Sequence, residues 1–204
     1  MTGHFKNNMV RRTTASLTAH KTTMETMTDK TLLRKALALA RSAVQAPQKA
    51  QWDRAIGSRV LAWCAQEGID AIGVYWPLRG EPDLSTAYAQ LAASGVHLLL
   101  PVVLQRDAAL GFAHWQPGEA MVKDQMGVAV PASLRMTQRP PALLIPCLGF
   151  NAERYRLGYG GGYYDRTLET APRPRTAGVA YSCQLAQFAS APHDVALDLI
   201  ITEA

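Results

Sequence analysis

The stretch Ala142-Leu143-Leu144-Ile145-Pro146-Cys147-Leu148-Gly149-Phe150-Asn151-Ala152-Glu153-Arg154-Tyr155-Arg156-Leu157-Gly158-Tyr159-Gly160-Gly161-Gly162-Tyr163-Tyr164-Asp165-Arg166 decides how the chain folds. Its apolar head, Ala142 to Ile145, reads as a strand, its glycine-rich centre as a long loop, and Tyr163 to Thr170 as a helix. Four glycines within five positions, Gly158 and Gly160 to Gly162, let the backbone come close to a ligand. The amides of the helix's first turn would point at that ligand. Arg156 adds a permanently charged fork, and Asp165 adds a carboxylate able to hold a metal ion near a phosphate. A nucleotide phosphate with magnesium is the natural guest, and a plain glycine turn is the competing reading.

Length and composition narrow the function classes. The 204 residues are 48% hydrophobic, which suits one globular domain with a sizeable core. Formal net charge is +5, of which Lys6, Arg11, Arg12 and Lys21 against Glu25 place +3 in residues 1–28 and leave +2 for the body. So small an excess does not call for nucleic acid, though it tolerates anionic substrates. Cys64, Cys147 and Cys183 are odd in number and far apart, so neither a disulfide framework nor a zinc site is expected, and a reducing cytoplasm is the simplest home. No apolar run approaches the roughly 18 to 20 residues that span a bilayer, so no membrane association is expected. Residues 1–28, rich in Thr, Lys and Arg, are expected to be a disordered basic extension, with residues 29–204 the single domain.

Along that domain, Asp29 can cap a helix running to about Gln45 and ended by Pro47, with Leu33, Leu37, Ala40 and Val44 on one stripe. Lys30 and Arg34 leave the same side of its first turns, whereas Arg41 lies further along. Such cations are ordinarily only solvated. A second helix is expected over Lys49 to Gln66, stopped by Gly68, followed by a strand over Ala71 to Tyr75. The loop Trp76 to Pro82 then lies at a strand's carboxyl end, where ligands of open α/β sheets collect. Glu81 in it would ordinarily be an exposed loop acid. A helix from Leu84 to Ala93 and strands at His97 to Val103 and Leu110 to Trp115 follow, with Thr176 to Tyr181 and Leu197 to Ile201 as the last strands. His114 is expected to be structural, Cys147 a small buried residue, and His193 with Asp194 a loop hydrogen-bond pair.

Neither familiar phosphate motif is present. A Walker loop needs Gly-Lys-Ser/Thr after the glycines, and the dinucleotide fingerprint needs Gly at Tyr163. The string Arg-Leu-Gly-Tyr-Gly-Gly-Gly-Tyr-Tyr-Asp-Arg from Arg156 to Arg166 instead resembles the signature of 5-formyltetrahydrofolate cyclo-ligases, also called methenyltetrahydrofolate synthetases. The resemblance covers nearly all of residues 29–203. It implies a three-layer α/β/α fold with a mostly parallel sheet, similar to the sugar-phosphate isomerase and CoA-transferase architecture. It also implies ATP-dependent closure of 5-formyltetrahydrofolate to 5,10-methenyltetrahydrofolate, with release of ADP and phosphate.

The resemblance also assigns roles. Lys30 and Arg34 match the family's opening Lys-three-residues-Arg pattern at the ATP site. Arg156, Gly158, Gly160, Gly161, Gly162, Tyr163 and Tyr164 complete that site, with Arg156 and Lys30 acting on the transferred phosphoryl group. Glu81 and Trp76 fall where the family contacts folate, joined there by Tyr159, the glycines at 160 to 162 and Tyr163. Gly178-Val179-Ala180-Tyr181, Gln184, His193-Asp194 and Ile200-Ile201-Thr202 follow the family's tail, which makes Asp194 a second magnesium carboxylate beside Asp165. The enzyme is expected to be a monomer. Val130 replaces the acid of a Gly-Ile-x-Glu-Pro pattern, while Asn151 and Arg154 stand where Asp and Gly are usual, so the loop before Arg156 is expected to take a different path. The competing classes are a non-catalytic folate- or nucleotide-binding module on the same fold and an RNA-associated protein. The body lacks the basic, aromatic-interleaved stripe that the latter needs.

Overall fold

The run Ala142–Pro146 forms β7, an interior strand of a seven-stranded sheet in a computed structural model that describes residues 30–78 and 80–204. Asp29 and the expected disordered extension 1–28 lie outside the described residues. The strands are β1 (Ala71–Gly73), β2 (His97–Val102), β3 (Gly111–Trp115), β6 (Met136–Thr137), β7, β10 (Arg175–Val179) and β11 (Leu199–Ile201). They lie in the order β11-β10-β7-β1-β2-β3-β6. β11, β10, β7, β1 and β2 run parallel, and β3 and β6 add antiparallel pairings at one edge.

Side-chain alternation assigns the two faces. In β7, Leu144 packs with Leu98 and Leu100 of β2 against α2 (Ala46–Gln66) and α3 (Ser85–Ala93), where Ile56, Val60, Tyr88 and Leu91 are buried. Leu143 and Ile145 point the other way, into a cluster with Leu99, Phe112 and Leu168 of α4 (Tyr163–Glu169). A strand buried on both faces reads as an uninterrupted apolar run, and that is why Ala142 to Ile145 carries no polar residue. Helices on both faces make three layers, as the resemblance implies.

Several boundaries differ from expectation. The first helix, α1, covers 30–42, and Pro47 lies in the first turn of α2 rather than ending α1. Proline is well placed there because a first-turn amide has no intrahelical acceptor to lose. β1 stops at Gly73, although the Val74 amide still donates to the Leu99 carbonyl at 2.8 Å. The hairpin of β4 (Met121–Lys123) and β5 (Ala129–Pro131) is not signalled by sequence alternation. Its turn is set by Asp124, whose Oδ1 accepts from the amides of Met126 and Val128 at 2.8 and 2.9 Å. Val130 is buried against Val102 and Ala113, an environment that suits the apolar residue found there.

Candidate active site

α1 brings cations to the glycine loop because its spacing repeats on one side. Residues four, seven and eleven apart return to nearly the same direction, so Lys30, Arg34, Leu37 and Arg41 share a face. Leu37 anchors that face by packing against Leu148 and Leu157. The helix thereby docks on the small sheet of β8 (Gly149–Phe150) and β9 (Arg156–Leu157), which carries the loop. Arg34 Nε donates to the Gly158 carbonyl at 2.9 Å, and Lys30 Nζ lies 3.4 Å from Asp194 Oδ2. Asp194 is steadied from behind, its Oδ2 accepting from the Ala191 amide at 2.7 Å.

The loop opens with Arg156, whose side chain is only 6% exposed and whose Nη2 donates to Asp165 Oδ2 at 2.8 Å. Its Nε finds no acceptor among the described residues, and its guanidinium stacks 5.3 Å from the Tyr164 ring centre. A Cβ at position 158 would lie 2.6 Å from Arg156 Nη1, so glycine is needed for the guanidinium to fold back on the loop. Gly162 caps α4 in the left-handed region, at φ 62°, which favours a residue without a Cβ. Tyr164 packs into the core cluster of Leu143, Ile145 and Cys147, and burial pushes its hydroxyl's pKa well up. Tyr163 turns its ring toward Arg166, 5.4 Å away.

These groups surround one cleft of about 540 Å³. Every residue singled out in the sequence for the site lines it: Lys30, Arg34, Trp76, Glu81, Arg156, Gly158 to Tyr164, Asp165 and Asp194. One end is charged. The other is apolar, walled by Trp76, Leu78, Pro101, Val103, Leu110 and Met126, with the β4–β5 hairpin contributing Asp124 and Val128. Glu81 lines the cleft and is 3% exposed, so it is not the exposed loop acid of the composition-based reading. Its Oε1 accepts from the Tyr159 hydroxyl at 2.6 Å and its Oε2 from the Leu78 amide at 2.8 Å.

Other expectations resolve locally. His114 is outside this cleft, and His193, 3.8 Å from Asp194, is largely exposed at its rim. Arg154 adopts φ 65°, a left-handed conformation that glycine takes more readily than a residue with a side chain. Asn151 Oδ1 accepts from the Tyr155 amide at 2.9 Å, as an aspartate would, and its Nδ2 donates to the Phe188 carbonyl at 3.2 Å. The cluster that sequence reading missed is Arg41, 3% exposed, with Nη2 donating to the Tyr159 hydroxyl at 2.8 Å. Its spacing of eleven from Lys30, about three helical turns, was the available signal.

Among the described residues, no group of three or more His, Cys, Asp or Glu side chains stands ready to hold a metal. Asp165 and Asp194, the carboxylates that the resemblance gives to magnesium, both line the cleft, each beside a cation. That ion is usually held by one or two carboxylates, with substrate phosphates and water supplying the rest.

Fold and cleft together define an α/β enzyme whose glycine loop lines a cleft of mixed charged and apolar walls. The profile of the 5-formyltetrahydrofolate cyclo-ligase family matches residues 26–203, and the chain belongs to that family. A 5-formyltetrahydrofolate cyclo-ligase of Mycoplasma pneumoniae is 30% identical over 86% of this chain and 99% of the relative. One from Escherichia coli K12 is 27% identical over 72% of this chain and 85% of its own. Among solved structures, a 5,10-methenyltetrahydrofolate synthetase of Mycoplasma pneumoniae superposes with a TM-score of 0.72 at 30% identity, covering 86% of this chain and 99% of that one. The Aquifex aeolicus 5,10-methenyltetrahydrofolate synthetase, at 24% identity, shares the fold with a TM-score of 0.74, over 85% of this chain and 89% of that one.

Proposed function

We propose that this chain closes 5-formyltetrahydrofolate to 5,10-methenyltetrahydrofolate at the cost of ATP, releasing ADP and phosphate, through phosphorylation of the formyl oxygen. The carrying observation is Arg156, a buried guanidinium at the root of the glycine loop, paired on one side with Asp165 and with Nε lacking an acceptor among the described residues. A formamide oxygen is a poor leaving group. Its attack on the γ-phosphorus breaks the bond to ADP and leaves phosphate attached to the formyl carbon's oxygen. The neighbouring folate nitrogen then attacks that carbon, loses its proton and expels phosphate, which closes the ring.

Such transfer asks the protein for placement and charge neutralisation. Arg156, Lys30 and Arg34 are assigned to the phosphates, the loop from Gly158 to Gly162 with Tyr163 and Tyr164 to the triphosphate wall, and Asp165 with Asp194 to magnesium. The metal, when bound, would offset phosphate charge. Trp76, Glu81, Tyr159 and Tyr163 are assigned to the folate, whose flat ring suits the apolar end of the cleft. Free Cys64, Cys147 and Cys183 suit a reducing cytoplasm, and no helix among the described residues is long and apolar enough to cross a membrane.

The test is spectroscopic. Protein mixed with 5-formyltetrahydrofolate, ATP and magnesium is expected to develop the near-ultraviolet absorbance of the methenyl product, and none without ATP. Folate binding with no product would favour the non-catalytic module instead.

A further inference from the structure

Arg41 sits behind the cleft, not in it. It is 3% exposed, and its Nε and Nη1 have no acceptor among the described residues. A guanidinium held this way is costly, since desolvated donors are normally paired. Among the described residues its one polar contact is directional: Nη2 donates to the Tyr159 hydroxyl at 2.8 Å, and that hydroxyl donates to Glu81 Oε1 at 2.6 Å. The guanidinium also lies 5.8 Å from the Tyr159 ring centre, close enough for a cation–π contact. The relay therefore joins α1, the glycine loop and the loop after β1, elements far apart in sequence.

The direction of each bond matters. Tyr159 as a whole is 43% exposed, but its hydroxyl lies between two buried residues, and burial followed by the Glu81 charge pushes its pKa far up. It stays protonated and can only donate to Glu81. A cation donating to the hydroxyl oxygen polarises that O–H and strengthens the next bond. With Oε2 held by the Leu78 amide at 2.8 Å, both carboxylate oxygens are oriented by the protein itself.

We propose that Arg41 is a positioning residue for the folate half of the site, acting through Tyr159 to fix the Glu81 carboxylate. The proposal rests on the assignment of Glu81 to folate given above. The carboxylate would accept N–H groups from the edge of a flat pterin-like ring, and a wandering carboxylate would weaken that recognition while leaving the phosphate end untouched.

Steady-state kinetics on the full chain separate the possibilities. In Arg41→Met, which keeps the bulk and removes the charge, KM for 5-formyltetrahydrofolate is expected to rise about 10-fold while KM for ATP stays within about 2-fold. Tyr159→Phe is expected to do the same, Arg41→Lys to recover part of the loss, and the double variant Arg41→Met/Tyr159→Phe to be no worse than the worse single, since one link is broken twice. An unchanged folate KM in Arg41→Met, an equal rise in both KM values, or fully additive single effects would overturn the role of Arg41. Should Arg41→Met not fold, Arg41→Gln, which keeps a donor without the charge, decides: a raised folate KM beside an unchanged ATP KM supports the relay and an unchanged folate KM overturns it. Glu81→Gln tests the underlying assignment. A wild-type folate KM in that variant overturns the placement of folate and this proposal with it, whereas a raised value beside an unchanged one in Arg41→Met overturns Arg41 alone.

Discussion

Arg156 and Asp165 are bonded to each other, Nη2 to Oδ2 at 2.8 Å, in the wall of the cleft. The group assigned to phosphate and the group assigned to metal thus neutralise one another, with side chains only 6% and 16% exposed. Binding a nucleotide with magnesium would exchange this pair for two intermolecular ones. Arg156→Ala is therefore expected to lower kcat by about 100-fold or more, since charge developing on the transferred phosphoryl loses its nearest fixed cation. Asp165→Asn is expected to raise the magnesium concentration needed for half-maximal rate. Initial rates over a magnesium titration check both, and an unshifted titration in Asp165→Asn would remove Asp165 from the metal.

Lys30 and Asp194 make a looser version of the same arrangement, 3.4 Å apart and 29% and 16% exposed. An ion pair this open contributes little to folding, typically about 0 to 1 kcal/mol, so Lys30→Ala is expected to melt close to the wild type. Its effect should fall on the nucleotide, with KM for ATP rising about 10-fold and becoming less sensitive to added salt than the wild-type value. Rates at several ATP and salt concentrations test this. A wild-type ATP KM in Lys30→Ala would place the lysine outside the nucleotide site.

Arg154 holds a left-handed backbone at φ 65° while its Nε donates to the Leu197 carbonyl at 3.0 Å. The conformation costs a non-glycine residue roughly 1 to 2 kcal/mol, and the bond returns about 0.5 to 1.5 kcal/mol. Arg154→Gly removes both and is expected to change stability by less than about 1 kcal/mol. Arg154→Ala removes only the bond and is expected to cost about 1 kcal/mol. Urea unfolding of the two variants beside the wild type gives the ranking, and Arg154→Ala as stable as the wild type would show that the side-chain bond contributes nothing.

What could be read in the chain follows from the range of each interaction. The strand at 142 to 146 and the glycine loop announce themselves through local pattern, a continuous apolar run and a cluster of residues with one conformational use. Lys30, Glu81 and Asp194 carry no such local mark and were reached through resemblance. Arg41 escaped both routes: only the docking of α1 on β8 and β9 turns its side of the helix inward, and that contact is tertiary. The β4–β5 hairpin was missed because three-residue strands are too short for alternation to register, although its turn lines the cleft through Asp124, Met126 and Val128.

Cys147 lies directly after β7 beneath the loop, fully buried, with its Sγ donating to the Ile145 carbonyl at 3.4 Å. Burial pushes its thiol from 9.0 up to about 12, partly opposed by the Arg156 charge. Between those values the unfolded chain has lost a proton that the folded chain keeps, so stability is whole below pH 9 and declines as pH rises toward 12. One such thiol removes stability with a limiting slope of about 1.4 kcal/mol per pH unit. Cys64, raised to about 11, acts in the same direction, and the buried tyrosines join from about pH 10. The diagnostic quantity is therefore the slope rather than the level, because Cys147→Ala also leaves a small void. Urea midpoints at pH 8 and pH 10 are expected to fall less in Cys147→Ala than in the wild type, by about 1.4 kcal/mol in unfolding free energy. Cys147 does not line the cleft, so turnover at pH 8 should survive the substitution. Equal pH slopes in the two proteins would mean that the thiol ionises in the folded chain as readily as in the unfolded one.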